Sequence, residues 1–450
     1  MKKNFLNLRD LKFSSEILLF PLVLVLLASL SYFAPTQSEQ VKIISTYPAT
    51  VCPAVGNKVP SVASLTNSKI QRRLINGISK TLNSGKNSLI ALNNDALLVE
   101  GNAGTALTFV NSGWKSVVPC SVSNGEQWFA GGSGALTSKS FLYIVNSGFS
   151  ESSVELQIYT PNGLMEAKNV VIAQNSTKKI SIDTLVPGVD SIVIGVKTLS
   201  GRVSSYLLDE RKKGLRSLGA DFVAPVATAN KKVTIAGISG LTGKQISNSN
   251  SASHTLRLLI PGTIDANIDV TINSNDGNFI PEGLAQFNIK NQKVLDIPLT
   301  FAPINQPFSL IIDSDQPILA AVLSEFTFGK SKEIAWATGA DELSKWSVNF
   351  SGSKPVLSFA GNKINIQISA TTVSGKKIDK KITGTDFLVW NAPSGLNRLQ
   401  IIANNGGISG GVIFFPEAGS IGSSYIPMNN GANLETASEP ISDASVISRG

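Results

Sequence analysis

Apolar and polar residues alternate in three comparable stretches of this chain. In residues 154–158, 268–272 and 364–368, every second residue is Val, Leu or Ile, and polar residues stand between them. A glycine-containing turn follows each stretch, as in residues 160–163 (Thr-Pro-Asn-Gly). Period-two alternation is typical of a half-buried antiparallel strand, and glycine supplies the positive φ that tight hairpins need. The pattern therefore predicts antiparallel hairpins and no long helix.

A short motif also recurs. Residues 129–131 and 359–361 are Phe-Ala-Gly, and residues 235–237 are Ile-Ala-Gly. Together with turn signals about every eight to twelve residues, this repetition predicts an all-β fold of tandem immunoglobulin-like or fibronectin-like β-sandwich modules. A β-propeller is the alternative, but its repeat is nearer forty residues, so sandwich modules in series are favoured.

The length of 450 residues fits three or four domains. The patterns divide the chain into a cytoplasmic basic end and transmembrane anchor (1–35), a first disulfide-containing β module (36–122), a second β-sandwich module (123–228), a third (229–345), an abbreviated fourth β module (346–428) and a disordered polar tail (429–450). Within the first module, the helical spacing of apolar residues in 70–82 predicts a short helix, and residues 96–99 and 106–110 predict a hairpin.

Residues 17–34 form an apolar run without a charge, and basic residues precede it. A helix of this length reaches about 27 Å, close to the hydrocarbon thickness of a bilayer. A cleaved signal peptide is the alternative. The exit at residues 31–35 is bulky and ends in proline, which favours an uncleaved single-pass anchor in the cell membrane. In both cases we expect the bulk of the chain to be extracytoplasmic.

Cys52 and Cys120 are the only two cysteines, and in an exported chain they predict one disulfide. Two thiols without a nearby histidine fall short of a metal site, so we expect no metal and no cofactor. Charged residues make up only 16% of the chain, and the net charge of +8 is spread along it. The expected location disfavours nucleic acid as a partner.

Catalytic motifs are weak. Residues 407–411 spell G-x-S-x-G, but an apolar strand follows where a nucleophile elbow needs a helix. His254 is the single histidine and begins an alternating strand, which predicts a surface or strand-edge position. Paired carboxylates are harder to exclude, although no pattern favours any of the candidates Glu151, Asp183, Glu282 and Asp313. We therefore predict no catalytic residue.

Five tryptophans are candidates for a sugar-binding platform, because the face of a pyranose ring stacks on indole. They are Trp114, Trp128, Trp336, Trp346 and Trp390. Trp128 and Trp336 lie in repeat strands, where packing between sheets is the usual role. Trp114 follows Asn-Ser-Gly and is the candidate for an exposed, ligand-facing aromatic residue.

Several segments together carry a resemblance to a known family. They are Cys-Pro-Ala at 52–54, the second cysteine ahead of Trp-Phe-Ala-Gly-Gly at 128–132, Phe-Leu-Tyr-Ile-Val-Asn at 141–146, and the turn at 160–163. With the N-terminal anchor, they resemble an uncharacterised actinobacterial family of membrane-anchored, exported β proteins that carries only a domain of unknown function. The resemblance implies a role near an envelope glycosyltransferase, in the assembly of cell-envelope glycan, and brings no functional residue with it.

The sequence thus leads us to expect a non-enzymatic scaffold or binding protein of the cell envelope. Its partners would be the cytoplasmic membrane, through the N-terminal helix, and wall glycan or a membrane glycosyltransferase. One alternative is a cell-wall-active hydrolase on the same scaffold, which requires a concave cluster of ionisable groups with shifted pKa values. The other is a structural stalk or adhesin, which predicts no pocket.

Overall fold

A computed structural model describes most of the chain after residue 48. The described residues are 43–44, 49–53, 55, 61–64, 70–75, 77, 80–82, 89–91, 95–100, 104–111, 114–241, 245–247, 249–303, 305–415, 422–429 and 437–438. The predicted anchor in 1–35 and almost all of the predicted polar tail lie outside them. Within the described part of the chain, no helix is long and apolar enough to cross a membrane.

The prediction of an all-β fold is confirmed, because the described residues hold strands and one 3₁₀ helix, Ile182–Thr184, and no α-helix. The strands before residue 125 are β1 (Ile43–Ile44), β2 (Thr50–Cys52), β3 (Ser61–Ser64), β4 (Ile70–Leu74), β5 (Lys80–Leu82), β6 (Leu89–Ala91), β7 (Leu97–Glu100), β8 (Ala106–Asn111), β9 (Trp114–Pro119) and β10 (Ser121–Val122). Those up to residue 223 are β11 (Glu126–Phe129), β12 (Phe141–Asn146), β13 (Ser152–Thr160), β14 (Gly163–Leu164), β15 (Lys168–Ile172), β16 (Ser176–Ser181), β17 (Val193–Ser200), β18 (Val203–Lys213) and β19 (Arg216–Val223).

The third group is β20 (Asn230–Ile238), β21 (Asn250–Leu259), β22 (Ala266–Ser274), β23 (Gly277–Phe279), β24 (Phe287–Ile289), β25 (Leu295–Pro298), β26 (Phe308–Phe328) and β27 (Ser331–Thr338). The last group is β28 (Lys345–Ser353), β29 (Val356–Thr372), β30 (Lys377–Asn391), β31 (Leu396–Ala403), β32 (Ser409–Phe414), β33 (Ser424–Pro427) and β34 (Ala437–Ser438). β1 and β34 pair only with each other and belong to a compact unit separate from residues Tyr47–Glu435.

Two expectations for the first hundred residues were wrong. The described residues of this segment form the antiparallel strands β4 (Ile70–Leu74) and β5 (Lys80–Leu82) instead of a helix, because β4 also pairs with β7 and that pairing overrides the helical spacing. β7 and β8 do not form a hairpin, since β7 pairs with β2 and β4 whereas β8 pairs with β3 and β9.

Four sets of antiparallel strands share one plan. Their orders are β6-β3-β8-β9, β16-β12-β18-β19, β25-β21-β26-β27 and β30-β29-β32-β33. In each set, the strand that comes last along the chain lies at one edge. We call these four strands, β9, β19, β27 and β33, the central strands, because they meet in the middle of the molecule. β19 packs against β9 and β27, and β33 also packs against both. The central strands therefore form a closed ring.

The ring also joins the sets of strands to one another. Residues Tyr47–Glu435 form one compact unit, and its apolar clusters cross from one set of strands to the next. Trp336 of β27, for example, packs in the same cluster as Trp128 and Leu142, and Phe222 of β19 packs with Phe109. Edge strands buried against each other remove apolar surface from water that separate modules would leave exposed.

The repeated Phe-Ala-Gly motif marks points of close approach. A Cβ atom on Gly131 would lie 2.8 Å from Cγ2 of Val223 and 3.1 Å from Cδ2 of Trp336, and one on Gly237 would lie 2.1 Å from Oγ of Ser358. An alanine at either position would therefore force a neighbouring side chain to move. The third copy, at 359–361, is not equivalent to the others, because it lies in the middle of a sheet in β29, between β30 and β32.

Candidate functional site

One carboxyl group joins all four central strands. Oδ1 of Asp221 in β19 accepts hydrogen bonds from the hydroxyls of Ser116 in β9 at 2.5 Å and Ser424 in β33 at 2.7 Å. Oδ2 accepts one from the backbone N–H of Trp336 in β27 at 2.9 Å. Burial raises the pKa of Asp221 to about 7, although these hydrogen bonds act in the opposite direction. Asp221 therefore fixes the register of the ring.

Glu333 is a second buried acid on β27. Its side chain belongs to a residue only 1% exposed, and neither carboxyl oxygen has a hydrogen-bond partner among the described residues. Burial, and after it the charge of Asp221, raises the pKa of Glu333 to about 9. Glu333 is therefore a neutral acid at pH 7.

Trp336 holds two further charged groups in place. Its indole Nε1 donates to Oδ2 of the buried Asp209 at 3.0 Å, and the guanidinium of Arg257 lies 5.0 Å from its ring centroid. Burial by itself raises the pKa of Asp209, but Arg211 and the hydroxyl and indole donors outweigh it, so this pKa falls below its usual value. Arg257 makes two hydrogen bonds of 2.8 Å to the Asp296 carboxylate. Because these charged groups are largely buried and paired with one another, we assign them a structural role.

A cavity of about 130 Å³ lies where the central strands end. Segments that directly follow three of these strands line it: Cys120 to Val122 after β9, Ala224 to Ala227 after β19, and Asn429 after β33. Asp341, three residues after β27, and Thr105, before β8, also lie in its wall. The exposed residues Ala227 and Asp341 mark its mouth. Since all four central strands point their carboxyl ends at this cavity, it is the natural place for a ligand.

Two polar groups in the cavity wall lack partners. Thr105 and Gln127 are each 2% exposed, and neither Oγ1 of Thr105 nor Nε2 of Gln127 has a hydrogen-bond partner among the described residues. Most buried polar atoms in proteins are hydrogen-bonded, so each exception requires an explanation. Both atoms are themselves buried, so each is a polar group without a described partner behind the surface of the cavity.

The predicted disulfide is confirmed and forms part of this wall. Cys52 and Cys120 are bonded across 68 residues, and Cys120 lines the cavity. Beside it, the hydroxyl of Tyr206 accepts hydrogen bonds from the backbone N–H and the hydroxyl of Ser121 at 2.8 and 2.9 Å and donates to the carbonyl of Val51. Burial raises the pKa of Tyr206 to about 12, so its hydroxyl remains a proton donor. The wall is thus rigidly supported.

The prediction that Trp114 is exposed was wrong. Trp114 is 2% exposed, because it begins the central strand β9 and packs in the cluster of Phe109 and Phe222. Its Nε1 donates to Glu210 at 3.3 Å. Trp128 and Trp336 are core residues as expected, whereas Trp346, which the sequence did not single out, lines the cavity.

His254 is also buried, contrary to expectation. It lies in β21 with Nδ1 2.9 Å from the hydroxyl of Ser324 and its ring edge-on to Phe308. Burial lowers its pKa to about 4, so it is neutral at pH 7.

Ser409 of the G-x-S-x-G motif opens strand β32, as the turn-and-strand interpretation requires. Sequence reasoning missed Thr105 and Gln127, because no motif surrounds either residue.

In the described part of the chain, no three His, Cys, Asp or Glu side chains are grouped so that they could hold a metal ion. The candidate acids Glu151, Asp183, Glu282 and Asp313 do not line the cavity.

Residues 112–383 match the family of unknown function DUF5719. The match covers more than half of the chain and includes three of the four central strands, and the chain belongs to this family. No curated protein matches it.

Proposed function

We propose that this protein is a membrane-anchored, extracytoplasmic binding or scaffold protein of the cell envelope, linked to the assembly of wall glycan, and not an enzyme. The observation that carries the binding role is the cavity at the end of the central strands, whose wall is built from segments that follow these strands. The disulfide supports an oxidising, extracytoplasmic location. We also propose that the protein is of actinobacterial origin and that residues 1–35 anchor it in the membrane.

We further propose that paired sheets form β-sandwich modules with the boundaries that the sequence suggested. Apolar residues of the sheet with β13 and β17 and of the sheet with β12 and β18 share one cluster, which supports face-to-face packing. The proposed organisation also includes the N-terminal anchor (1–35) and the polar tail (429–450).

A hydrolase is less well supported. The acids with raised pKa values, Asp221 and Glu333, do not line the cavity, and among the described residues only Asp341 contributes a carboxylate to its wall. Hydrolysis of a glycosidic bond normally needs two carboxyl groups on either side of the scissile bond. A stalk or adhesin gives no reason for a cavity at the end of the central strands.

The test is crosslinking of the full chain in its native membrane. A photoreactive amino acid at Ala227, at the mouth of the cavity, should capture wall glycan or a membrane glycosyltransferase. The matched control is Leu215, which is fully exposed in the turn before β19, at the opposite end of that central strand. Protease added to intact cells should degrade the domain as well. A protease-resistant, cytoplasmic chain, or equal capture from both positions, would contradict the proposal.

A further inference from the structure

The last set of strands has a positively charged outer side. Its sheet runs β28-β31-β29-β30 where the second half of β29 pairs with β31. We name the outer side of this sheet the basic face and define it by Lys377 and Lys381 of β30, Arg398 of β31, and Gln367 and Thr371 of β29. We propose that the basic face binds an acidic polysaccharide.

The orientation of the charged side chains follows from the alternation along the strands. Ile382 of β30 and Leu399 of β31 contact the apolar core of this set. Lys381 and Arg398 are their neighbours in sequence, and Lys377 lies an even number of residues before Lys381, so all three point away from the core. All three are exposed, as this orientation requires.

Strand pairing places the cations beside one another across the sheet. Thr371 pairs with Lys377 on one side and with Arg398 on the other. Lys377 and Arg398 are therefore two strands apart, about 10 Å, and Lys381 lies about 13 Å from Lys377 along β30. Charges spread over these distances suit an extended ligand with repeated charges better than a single small anion, because several weak contacts then act together.

The cations of the basic face are not neutralised by the protein. Among the described residues, neither lysine nor Arg398 makes a salt bridge or a side-chain hydrogen bond. Asp379, between Lys377 and Lys381 on the same side of β30, accepts a hydrogen bond of 2.6 Å from the hydroxyl of Ser369. Three cations thus face one carboxylate, and charge complementarity favours an anionic partner.

Neutral polar residues between the cations favour a carbohydrate. Thr371 and Gln367 present a hydroxyl and an amide on this side of the sheet, and both groups donate to and accept from sugar hydroxyls. A further polar row leads to the cavity: Ser347, which lines the cavity, pairs with Gln400, and Gln400 pairs with Ser369. A polysaccharide on the basic face would therefore extend to the cavity at the end of the central strands.

A bilayer and a nucleic acid are the other polyanions of this size. Surfaces that enter a bilayer normally insert apolar side chains, and proteins that bind single-stranded nucleic acids stack aromatic residues on the bases. The outward positions of residues 365–371, 377–383 and 398–402 include no aromatic residue and only one apolar residue, the half-buried Ile402. The choice against nucleic acid also rests on the proposed function, which places the chain outside the cytoplasm.

Surface plasmon resonance on the full chain in phosphatidylcholine nanodiscs tests this proposal. The probes are hyaluronate, an acidic polysaccharide, dextran, a neutral one, and polyglutamate, a polyanion without sugar. We expect hyaluronate to bind with an affinity that falls as the salt concentration rises, and dextran to bind at least about tenfold more weakly. Absence of hyaluronate binding would overturn the inference.

Three further outcomes would overturn the choice of a polysaccharide. Polyglutamate that binds as tightly as hyaluronate would show that charge alone is recognised. Tighter binding of duplex DNA would assign the face to nucleic acid, and tighter binding of phosphatidylglycerol vesicles would assign it to a bilayer surface.

A triple variant locates the binding. The combination of Lys377→Gln, Lys381→Gln and Arg398→Gln should weaken hyaluronate binding by about tenfold or more. The matched control removes three exposed lysines from β15, β16 and β17, which lie in other sheets: Lys168→Gln, Lys178→Gln and Lys197→Gln. Both variants should fold, since within the described part of the chain none of the six side chains makes a salt bridge. Equal losses would show a general effect of net charge and contradict the proposal.

Gln367→Met tests the sugar contacts separately, because it keeps every charge. We expect hyaluronate to bind about threefold to tenfold more weakly, as for one lost hydrogen bond, and polyglutamate to bind as before. Unchanged hyaluronate affinity, or an equal loss for both probes, would contradict a contact between Gln367 and sugar.

The localisation test separates this inference from the proposed function. An exported, anchored protein that does not bind hyaluronate loses the assignment of the basic face alone. A protein that binds hyaluronate but remains in the cytoplasm loses the proposed envelope role.

Discussion

The indole N–H of Trp336 donates a hydrogen bond of 3.0 Å to the carboxylate of Asp209, although 127 residues separate the two along the chain. Trp336 also donates its backbone N–H to Asp221, so one residue of β27 contacts two buried acids of the neighbouring set of strands. Hydrogen bonds to charged groups are about twice as strong as neutral ones. Trp336 therefore contributes to the junction through polar contacts as well as through its apolar ring.

Trp336→Phe should destabilise the protein by about 2–4 kcal/mol, because it removes a hydrogen bond to a charged group and leaves a partly filled space. Urea unfolding would measure this loss. Combining it with Asp209→Asn in a double-mutant cycle isolates the pair, and we expect a coupling of about 1–3 kcal/mol. Additive effects of the two substitutions would show that the hydrogen bond contributes nothing.

Asp221→Ala should cost about 3–5 kcal/mol, because it leaves the hydroxyls of Ser116 and Ser424 and the N–H of Trp336 without their acceptor in a buried site. The matched control is Asp313→Ala, an exposed acid on β26 in a salt bridge of 3.6 Å with Lys232, where we expect a change within about 0.5 kcal/mol. Similar losses of unfolding free energy for both would contradict the role of Asp221 at the centre of the ring.

The pKa of Glu333 predicts a loss of stability at alkaline pH. Its folded-state pKa, about 9, lies above the ordinary value of 4.5, so its contribution is fully present below pH 4.5 and is lost as the pH rises through 9. Between pH 7 and pH 9, this loss amounts to roughly 2 kcal/mol. His254 does not interfere, because its pKa of about 4 places its own effect between pH 6.5 and pH 4, where stability falls with falling pH.

Glu333→Gln should flatten the alkaline decline, since glutamine does not titrate. The comparison uses the slope of unfolding free energy against pH and is independent of any constant cost of the substitution. Glu282→Gln, at an exposed position, should leave the slope unchanged. If Glu333→Gln retains the slope of the natural protein, another group titrates in this range.

Strand character could be predicted because it depends on the local pattern of apolar and polar residues. The disulfide could be predicted because the chain has only two cysteines. The alternation in residues 154–158 is found in β13, with Val154, Leu156 and Ile158 buried. The closed ring could not be predicted, because it depends on contacts such as that of Ser116 with Ser424 across 308 residues. The cavity was missed for the same reason. Its residues come from six separate parts of the chain, and two of its polar members, Thr105 and Gln127, lie in no motif.

The misplacement of Trp114 has a specific cause. A tryptophan after Asn-Ser-Gly has the local signature of a turn, and the sequence contains no sign that β19 covers the strand that Trp114 begins. Tertiary packing decided the exposure of this residue.

Gly131→Ala should disrupt the junction between the central strands and their neighbours. Its Cβ would lie 2.8 Å and 2.9 Å from the two methyl groups of Val223, closer than van der Waals contact allows. We expect a loss of about 1–3 kcal/mol in unfolding free energy. Gly125→Ala is the control, because its Cβ would meet no heavy atom within 4 Å. Equal stability of both variants would contradict the close approach.

Replacement of both Cys52 and Cys120 by alanine tests the support of the cavity as well as stability. The disulfide closes a loop of 68 residues, and its loss should cost roughly 4 kcal/mol in the chain-entropy account. Since β2, which ends at Cys52, pairs with β10 beside the cavity, the same replacement should loosen the wall that Ser121 and Tyr206 form. Hydrogen exchange would then increase at residues 120–122 more than in β13, which lies in another sheet. A uniform increase across both regions would mean that the bond stabilises the fold only globally, whereas a local increase would establish that the disulfide supports the candidate site.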